Sequence, residues 1–522
     1  MFQKKLFKNI EDNKMKKITL IAPPRCNQDK LRIPDAFHIS ELGFSEYIEY
    51  LNSYGVNIEL IDLNYIINGV YNIENSDHNT NFIDLTLFSN HTNYTEIINY
   101  LADCSFNKTI AKYIDSKVEK VLKRIGSLDA DVFCILIGWP SRVLIGLALA
   151  KYLKRITNKI IILSNPKRNI FFDEPFNIRR LIKFDFIDFI IEKPGKNILD
   201  IFNLLKSNKL KSNYLINVPD IILKNKQEVI QTDSNNNEID LNELPLPNWT
   251  HLKNKKIKLL IYELALGCPF KCFYCFFVNQ TLFHKKPEKI VKELSILRRK
   301  YNCKYFYFNT TAINISLKFL DKFLFLMEKE NLDIRWLSYA YPKGLDYKTL
   351  LRMYKVGCRM LDIGIDQGSQ TNLNLIERDP KITEVMEFLK NCKKIGIFNY
   401  VAFIIGFPEL NNDAEYVCQF LEKNKDYIDF FSLNQFDIHK ANLKNVRRKW
   451  KDIKILNNKL DDRNYPFIES RYGSFENRIT VCDKKEKMII EKAKKLGINF
   501  IRCAYNRNNF DLEEFYLRVL KR

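Results

Sequence analysis

Short apolar runs of strand character alternate along this chain with longer segments of helical period. Ile18–Ala22, ending in Pro23-Pro24, reads as a buried strand, and residues 39–54 have helical spacing. Val56–Asp62, Val132–Gly138, Ile160–Leu163 and Phe184–Ile191 repeat the strand pattern, with helices expected from Ser141 and from Lys196 to Leu205. An Asn-rich polar stretch over about 65–110 looks inserted into this series. A second series follows: Ile257–Tyr262, Lys304–Phe308, Arg335–Tyr339, Met360–Ile365, Val401–Gly406 and Phe430–Leu433, with amphipathic helices such as 287–300 and 316–329 between them. Alternation of this kind predicts parallel sheets covered by helices, with ligands at the carboxyl ends of the strands. The fold class expected is α/β: a Rossmann-like parallel sheet, then a partial (β/α)6 barrel, then a small α-rich region.

The boundaries follow from the same pattern. Residues 1–15 read as a disordered extension, 16–215 as the first α/β domain, 216–256 as a linker, 257–440 as the barrel and 441–522 as an accessory or substrate region. A chain of 522 residues with 46% hydrophobic side chains can fill several cores. No apolar stretch reaches membrane-helix length, and Met1-Phe2-Gln3-Lys4-Lys5 lacks a signal-peptide core, so a cytoplasmic location is expected. The net charge of +21 raises the question of a nucleic-acid partner. The lysines are dispersed, however, and the densest runs, such as Lys444–Lys449, read as solvated helix faces, so nucleic acid is not expected.

Chemistry concentrates in Gly267-Cys268-Pro269-Phe270-Lys271-Cys272-Phe273-Tyr274-Cys275, directly after the first strand of the second series. Three cysteines at gaps of three and two residues can turn three thiolates toward one centre. An iron–sulfur cube takes four protein thiolates as a rule, so three leave one iron open. A structural zinc site would require a second pair of ligands, and His284 and Cys303 belong to none. The other cysteines are scattered singly, which argues against a disulfide framework.

This segment resembles the CxxxCxxC signature of the radical S-adenosylmethionine (SAM) enzymes. The resemblance implies a [4Fe-4S] cluster on Cys268, Cys272 and Cys275, which are at once the metal ligands and the catalytic residues. It implies SAM on the open iron, and an electron donor such as flavodoxin or ferredoxin. Phe273 and Tyr274 would screen the cluster and give the cofactor a flat surface. Asp366-Gln367-Gly368-Ser369-Gln370 resembles the family's GIESGSQ segment, so Asp366 and Ser369 would hydrogen-bond SAM, with Asp366 standing where the family has Glu. Gly406-Phe407-Pro408-Glu409 resembles the segment lining the adenine pocket, which assigns Gly406 and Pro408. Asn309 and Thr310, at the end of the second barrel strand, and Ser338, in the third, complete the cofactor-binding set.

The first domain and the connector Asp240–Trp249 resemble the cobalamin-binding domain and bridge placed ahead of many such enzymes. The likeness spans about residues 16–440 and implies cobalamin and C-methylation of a small-molecule, natural-product or peptide-like substrate. Asp35, His38 and Gly43 depart from the DxHxxG of a cobalt-ligating histidine, and Ser164-Asn165 replaces the glycine pair that cradles the cobalamin tail. A cobalamin-independent radical SAM catalyst is one alternative. Another is a tRNA methylthiotransferase, for which Cys26, Cys104 and Cys134 would have to hold a second cluster. A zinc-stabilised nucleic-acid-binding protein is the non-enzymatic reading. Trp450, Tyr465, Arg471, Tyr472 and Arg478 are candidates for shaping a substrate pocket.

Overall fold

A computed structural model describes residues 16–23, 39–63, 94–103, 108–123, 130–137, 140–164, 178–225, 228–234, 239–248, 258–275, 278, 280–456, 465–501 and 512–522. Near residue 253 the chain divides into two compact units.

The first unit is built on a seven-stranded sheet. Its strands are β1 (Ile18–Ala22), β2 (Ile58–Asp62), β3 (Val132–Leu136), β4 (Ile160–Ser164), β5 (Phe189–Ile191), β6 (Ile221–Asn225) and β7 (Glu228–Gln231), in the order β2-β1-β3-β4-β5-β6-β7. The first five run parallel. Every residue of β1 and β3 is buried, as expected of parallel strands covered on both faces. The helix Pro140–Thr157 crosses from β3 to β4. A Cβ on its Gly146 would come within 2.7 Å of Ile137 and 3.2 Å of Pro23, so glycine sets the close approach of helix to sheet. Strand order reverses between β1 and β3, which opens a crevice at their carboxyl ends.

One expectation about this unit changes. The stretch 216–256, read as a linker, supplies β6 and β7, which close the sheet in antiparallel fashion. The cause is apolar: Ile221, Ile222 and Leu223 are buried against β5. Ser164, at the end of β4, is buried, and its hydroxyl hydrogen-bonds Cys134 on the neighbouring strand. Asp35, His38, Asn165, Cys26 and Cys104 lie outside the described residues, and Gly43 falls in the helix Ile39–Ser53.

The second unit holds the barrel sheet. Its strands are β8 (Leu260–Glu263), β11 (Tyr305–Asn309), β12 (Arg335–Ala340), β13 (Cys358–Asp366), β14 (Phe398–Ile405), β15 (Phe430–Gln435) and β18 (Asn499–Phe500), all parallel, ordered β18-β15-β14-β13-β12-β11-β8. Between β8 and β11 lies an antiparallel hairpin of β9 (Ala265–Cys268) and β10 (Gln280–His284), which carries the cysteine loop. A second hairpin, β16 (Ile453–Ile455) with β17 (Phe467–Glu469), follows β15 in the chain. Helices Pro287–Lys300, Leu317–Glu330, Tyr347–Lys355, Ile382–Ile395 and Asp413–Lys423 return the chain between barrel strands. Their starts follow local rules: Pro287 opens the first, Ser316 accepts from Phe319 N at 3.2 Å, and Asp346 accepts from Thr349 N at 2.8 Å. The region 441–522 is less separate than its sequence suggests. It contributes β18 to the sheet edge, and its last helix, Leu512–Lys521, packs on β12 and β13. Among the described residues no helix is long and apolar enough to cross a membrane.

Gly357, entering β13, has φ +102°, and a Cβ there would lie 2.1 Å from Ile334 O. Gly357→Ala is therefore expected to lose about 1–3 kcal/mol from backbone strain alone. The check is a urea titration of the full-length protein; an unchanged midpoint would show that the β12–β13 junction can yield.

Candidate functional site

The cysteine loop hangs from the end of β9, and glycine lets it. Gly267 has φ +80°, and a Cβ there would fall 1.8 Å from Thr281 O across the hairpin. Thr311, just beyond β11, donates its hydroxyl to Gly267 O at 2.8 Å, fastening the hairpin to the barrel rim. Cys268 is 9% exposed, and burial raises its thiol above the ordinary value, opposed by a hydrogen bond from the Phe270 backbone. Cys275 N donates to Cys272 O at 2.9 Å, closing the turn. All three thiols are free of disulfides.

One buried guanidinium organises the surroundings. Arg378 Nη1 lies 3.1 Å from Cys272 Sγ, and its Nη2 donates to Gly364 O at 2.8 Å. Its Nε pairs with Asp366 Oδ2 at 2.9 Å, and the guanidinium lies 4.7 Å over the Tyr341 ring. Tyr341 in turn stacks on Phe270 of the loop at 4.1 Å. Burial works against the charge on Arg378, yet Asp366, with Tyr274, Cys272 and Tyr341, holds its pKa well above the usual arginine value. Tyr274 donates its hydroxyl to the same Asp366 oxygen at 2.7 Å. Burial, then Asp366, pushes the Tyr274 phenol well up, so it stays a donor.

Asp366 takes a conformation that few side chains accept. Its φ is +70°, and the β13–β14 register shifts between Gly364 and Asp366. A bulge at a strand end re-aims the side chain that follows it. Here it aims the carboxylate at Arg378 and Tyr274.

The apolar side of the loop is locked as firmly. Phe273 meets Trp450 edge-on at 5.2 Å, and Tyr274 meets Phe407 likewise at 5.2 Å. Asn442 donates to Tyr274 O at 2.7 Å. Phe407 follows Gly406, whose φ is +77° and where a Cβ would lie 2.7 Å from Cys482 Sγ. Gly406 N donates to Asp413 Oδ2 at 2.6 Å, and Gly406 O accepts from Arg478 Nη2 at 3.2 Å. Pro408 is buried in the turn that follows.

The expected site residues thus take different positions. Cys268, Cys272, Cys275, Phe273, Tyr274 and Asp366 share one network. Ser369 caps the short helix Gln370–Leu375, accepting from Asn372 N at 3.2 Å. Asn309 reaches Glu263 at 3.5 Å, while Thr310 is buried with its hydroxyl toward Ala312 O at 3.4 Å. Ser338 is fully buried and donates to Phe308 O at 2.9 Å. Strand alternation points it between sheet and helices rather than toward a ligand. Trp450 and Arg478, considered for a substrate pocket, are buried supports of the loop and of Gly406. Arg471 Nη2 likewise bonds Phe407 O, at 3.1 Å.

No local motif marks Arg378. It lies 106 positions from Cys272, and only its place in Arg378-Asp379-Pro380, a loop closed by proline, hinted that it turns back. The rival ligands go elsewhere: His284 stacks on Phe319 at 4.6 Å, and Cys303 Sγ donates to Lys258 O at 3.2 Å. Cys134 is enclosed in β3, where burial pushes its thiol up to about 12.

Residues 262–421 match the radical SAM superfamily. An uncharacterized methyltransferase of Pyrococcus horikoshii is 27% identical over 37% of this chain and 44% of its own length. An anaerobic magnesium-protoporphyrin IX monomethyl ester cyclase of Cereibacter sphaeroides is 21% identical over 60% of this chain and 52% of its own. The chain therefore spans about half the length of these curated relatives. Among solved structures, the cobalamin-dependent S-adenosylmethionine radical enzyme OxsB, with aqua-cobalamin and S-adenosylmethionine bound, aligns over 87% of this chain and 64% of its own, with TM-score 0.57 and 15% identity. The radical S-adenosylmethionine methyltransferase TsrM of Kitasatospora setae, with cobalamin and a [4Fe-4S] cluster bound, aligns over 81% and 76%, with TM-score 0.56 and 11% identity. At these identities the likeness is one of fold.

The Asp366–Arg378 pair yields a direct test. Asp366→Ala strands a buried guanidinium and should cost about 3–5 kcal/mol. Adding Arg378→Met to that variant should recover part of the loss, since no charge is then left unpaired. Chemical denaturation of the wild type, both single variants and the double variant measures this; additive losses would mean the pair does not interact as drawn.

Proposed function

We propose that this chain, which carries a radical SAM domain over residues 262–421, is an enzyme that holds a [4Fe-4S] cluster on Cys268, Cys272 and Cys275 and cleaves SAM reductively. The observation that carries the reading is the cysteine loop, set beside the strand ends of a parallel barrel and gripped through Cys272 by Arg378. The donor set fits such a group: three thiols without disulfides, in one tight turn, with a cationic N–H on one sulfur. When bound and reduced, the cluster supplies the electron that splits SAM into methionine and a 5′-deoxyadenosyl radical, which takes hydrogen from carbon.

The protein's own groups orient and protect. Phe273, Tyr274, Phe407 and Trp450 wall one side of the loop with rings and keep water off it. Asp366 acts on the site through Arg378 and Tyr274. Asn309, Ser369, Gly406 and Pro408 rim the strand ends where SAM would lie, while Thr310 turns back into its own loop. Among the rim residues, Asn309 ends β11 and Ser369 follows β13, and Gly406 offers a rigid backbone wall clamped by Asp413 and Arg478. Ser338 is assigned no ligand.

We further infer C-methylation of a small-molecule or peptide-like substrate, with cobalamin held by the first unit. The support is the strand order β2-β1-β3-β4-β5, whose reversal makes a ligand crevice, and the inward-turned hydroxyl of Ser164. When bound, methylcobalamin would supply the methyl group. A flavodoxin- or ferredoxin-type donor supplies electrons.

Anaerobically reconstituted protein is expected to hold about four iron ions per chain and to form 5′-deoxyadenosine from SAM with dithionite. Replacing all three cysteines with Ala should abolish both; retention of iron and colour in that variant would overturn the ligand assignment. Reconstitution with hydroxocobalamin, gel filtration and cobalt analysis decides the second part. Failure to retain cobalt, with SAM cleavage intact, would withdraw methyl transfer and leave a cobalamin-independent radical SAM catalyst.

A further inference from the structure

The inner face of the barrel sheet can be followed along β13. A Cβ placed on Gly364 would lie 3.6 Å from both the Arg378 guanidinium and the Asp366 carboxylate, so that position faces the cysteine-loop network. Strand alternation puts Asp362, two residues earlier and about 7 Å away, on the same face. In register, Asp362 stands beside Tyr339 of β12 and Tyr400 of β14. Those rings continue toward the last helix: Tyr400 meets Phe515 at 6.2 Å, Tyr339 meets Tyr307 at 6.2 Å, and Tyr307 stacks on Tyr516 at 5.8 Å. Asp362 thus lies between an aromatic floor and a position, Gly364, that has no side chain.

Asp362 is 6% exposed, and its carboxyl has no hydrogen bond or ion pair among the described residues. Burial alone pushes its carboxyl up to about 8. Other buried acids of the second unit are paired: Glu293 with Lys289 at 2.6 Å, Asp366 with Arg378 at 2.9 Å, Asp413 with Lys485 at 2.5 Å, and Glu469 with Arg471 at 2.7 Å. A carboxyl buried without a partner is among the costlier groups a fold can keep. In register its neighbours are the tyrosines of β12 and β14, and no charged side chain acts on it.

We propose that Asp362 is a substrate-binding residue that anchors a basic nitrogen, such as an amine, on the inner face of the barrel. This deepens the reading above and rests on the barrel being the reaction chamber. An incoming cation supplies the charge that the site lacks, and the aromatic rings in register beside it favour a cation over a neutral group. Burial favours the protonated form of the Asp362 carboxyl. A bound ammonium draws it to the carboxylate, so binding releases a proton.

The test uses phenethylamine and its neutral isostere 2-phenylethanol as probes, titrated calorimetrically into full-length, anaerobically purified protein. Titration at pH 7 in two buffers of different ionisation heat reads the proton. The amine should bind about ten-fold or more tighter than the alcohol and release close to one proton. Asp362→Asn should lose the preference and the proton while keeping the alcohol's affinity. If that variant does not fold, Asp362→Ser is read in the same way. Equal affinities in the wild type, or a preference retained in the variant, would overturn the proposal. Neither probe requires the cluster or SAM, so this result stands apart from SAM cleavage.

Discussion

A guanidinium buried beside a thiol can exist only where anions and carbonyls surround it, and this need fixes the geometry of the second unit's rim. Arg378 gathers Asp366, Gly364 O and Cys272 Sγ, which come from the end of β13 and from the cysteine loop. None of these can shift without leaving a buried charge unsatisfied. Asp366 takes a left-handed backbone conformation, and β13 a bulge, in order to meet it. Strain at a strand end is sustained by the ion pair it makes possible.

The remaining architecture serves the same loop from its apolar side. Trp450, Phe407 and Phe436 belong to one buried cluster with Phe273 and Tyr274, so the region after the barrel is part of the loop's foundation. Arg478 does for the backbone of β14 and β15 what Arg378 does for the loop, donating to Gly406 O and to Phe436 O at 2.9 Å. The tail therefore contributes rigidity at the rim as well as an aromatic floor at the other end of the strands.

The cysteine loop was legible in the sequence because its spacing is local. Three thiols within one turn constrain each other whatever else the chain does, and strand runs such as Val132–Leu136 announce burial by composition alone. Residue roles at the strand ends were not legible in the same way. Ser338 and Thr310 have suitable chemistry at suitable places in the motif order, yet one faces the helices and the other turns back into its own loop. Which way a side chain points depends on strand parity and register, and a single bulge at Asp366 changes both.

The sequence by itself determined the two strand–helix series, the parallel sheets they make and the presence of a three-thiol loop after the first barrel strand. Periodicity and short spacing are properties of neighbouring residues, and they survive without any knowledge of the fold. Only the tertiary structure decided that Arg378 joins Cys272, that β6 and β7 complete the first sheet, and that the chain's last helix lies against β12 and β13. Each of these joins elements remote in the chain or turns on how one side chain is aimed. Long-range packing and the pairing of buried charge settle such contacts, and neither leaves a local pattern to read.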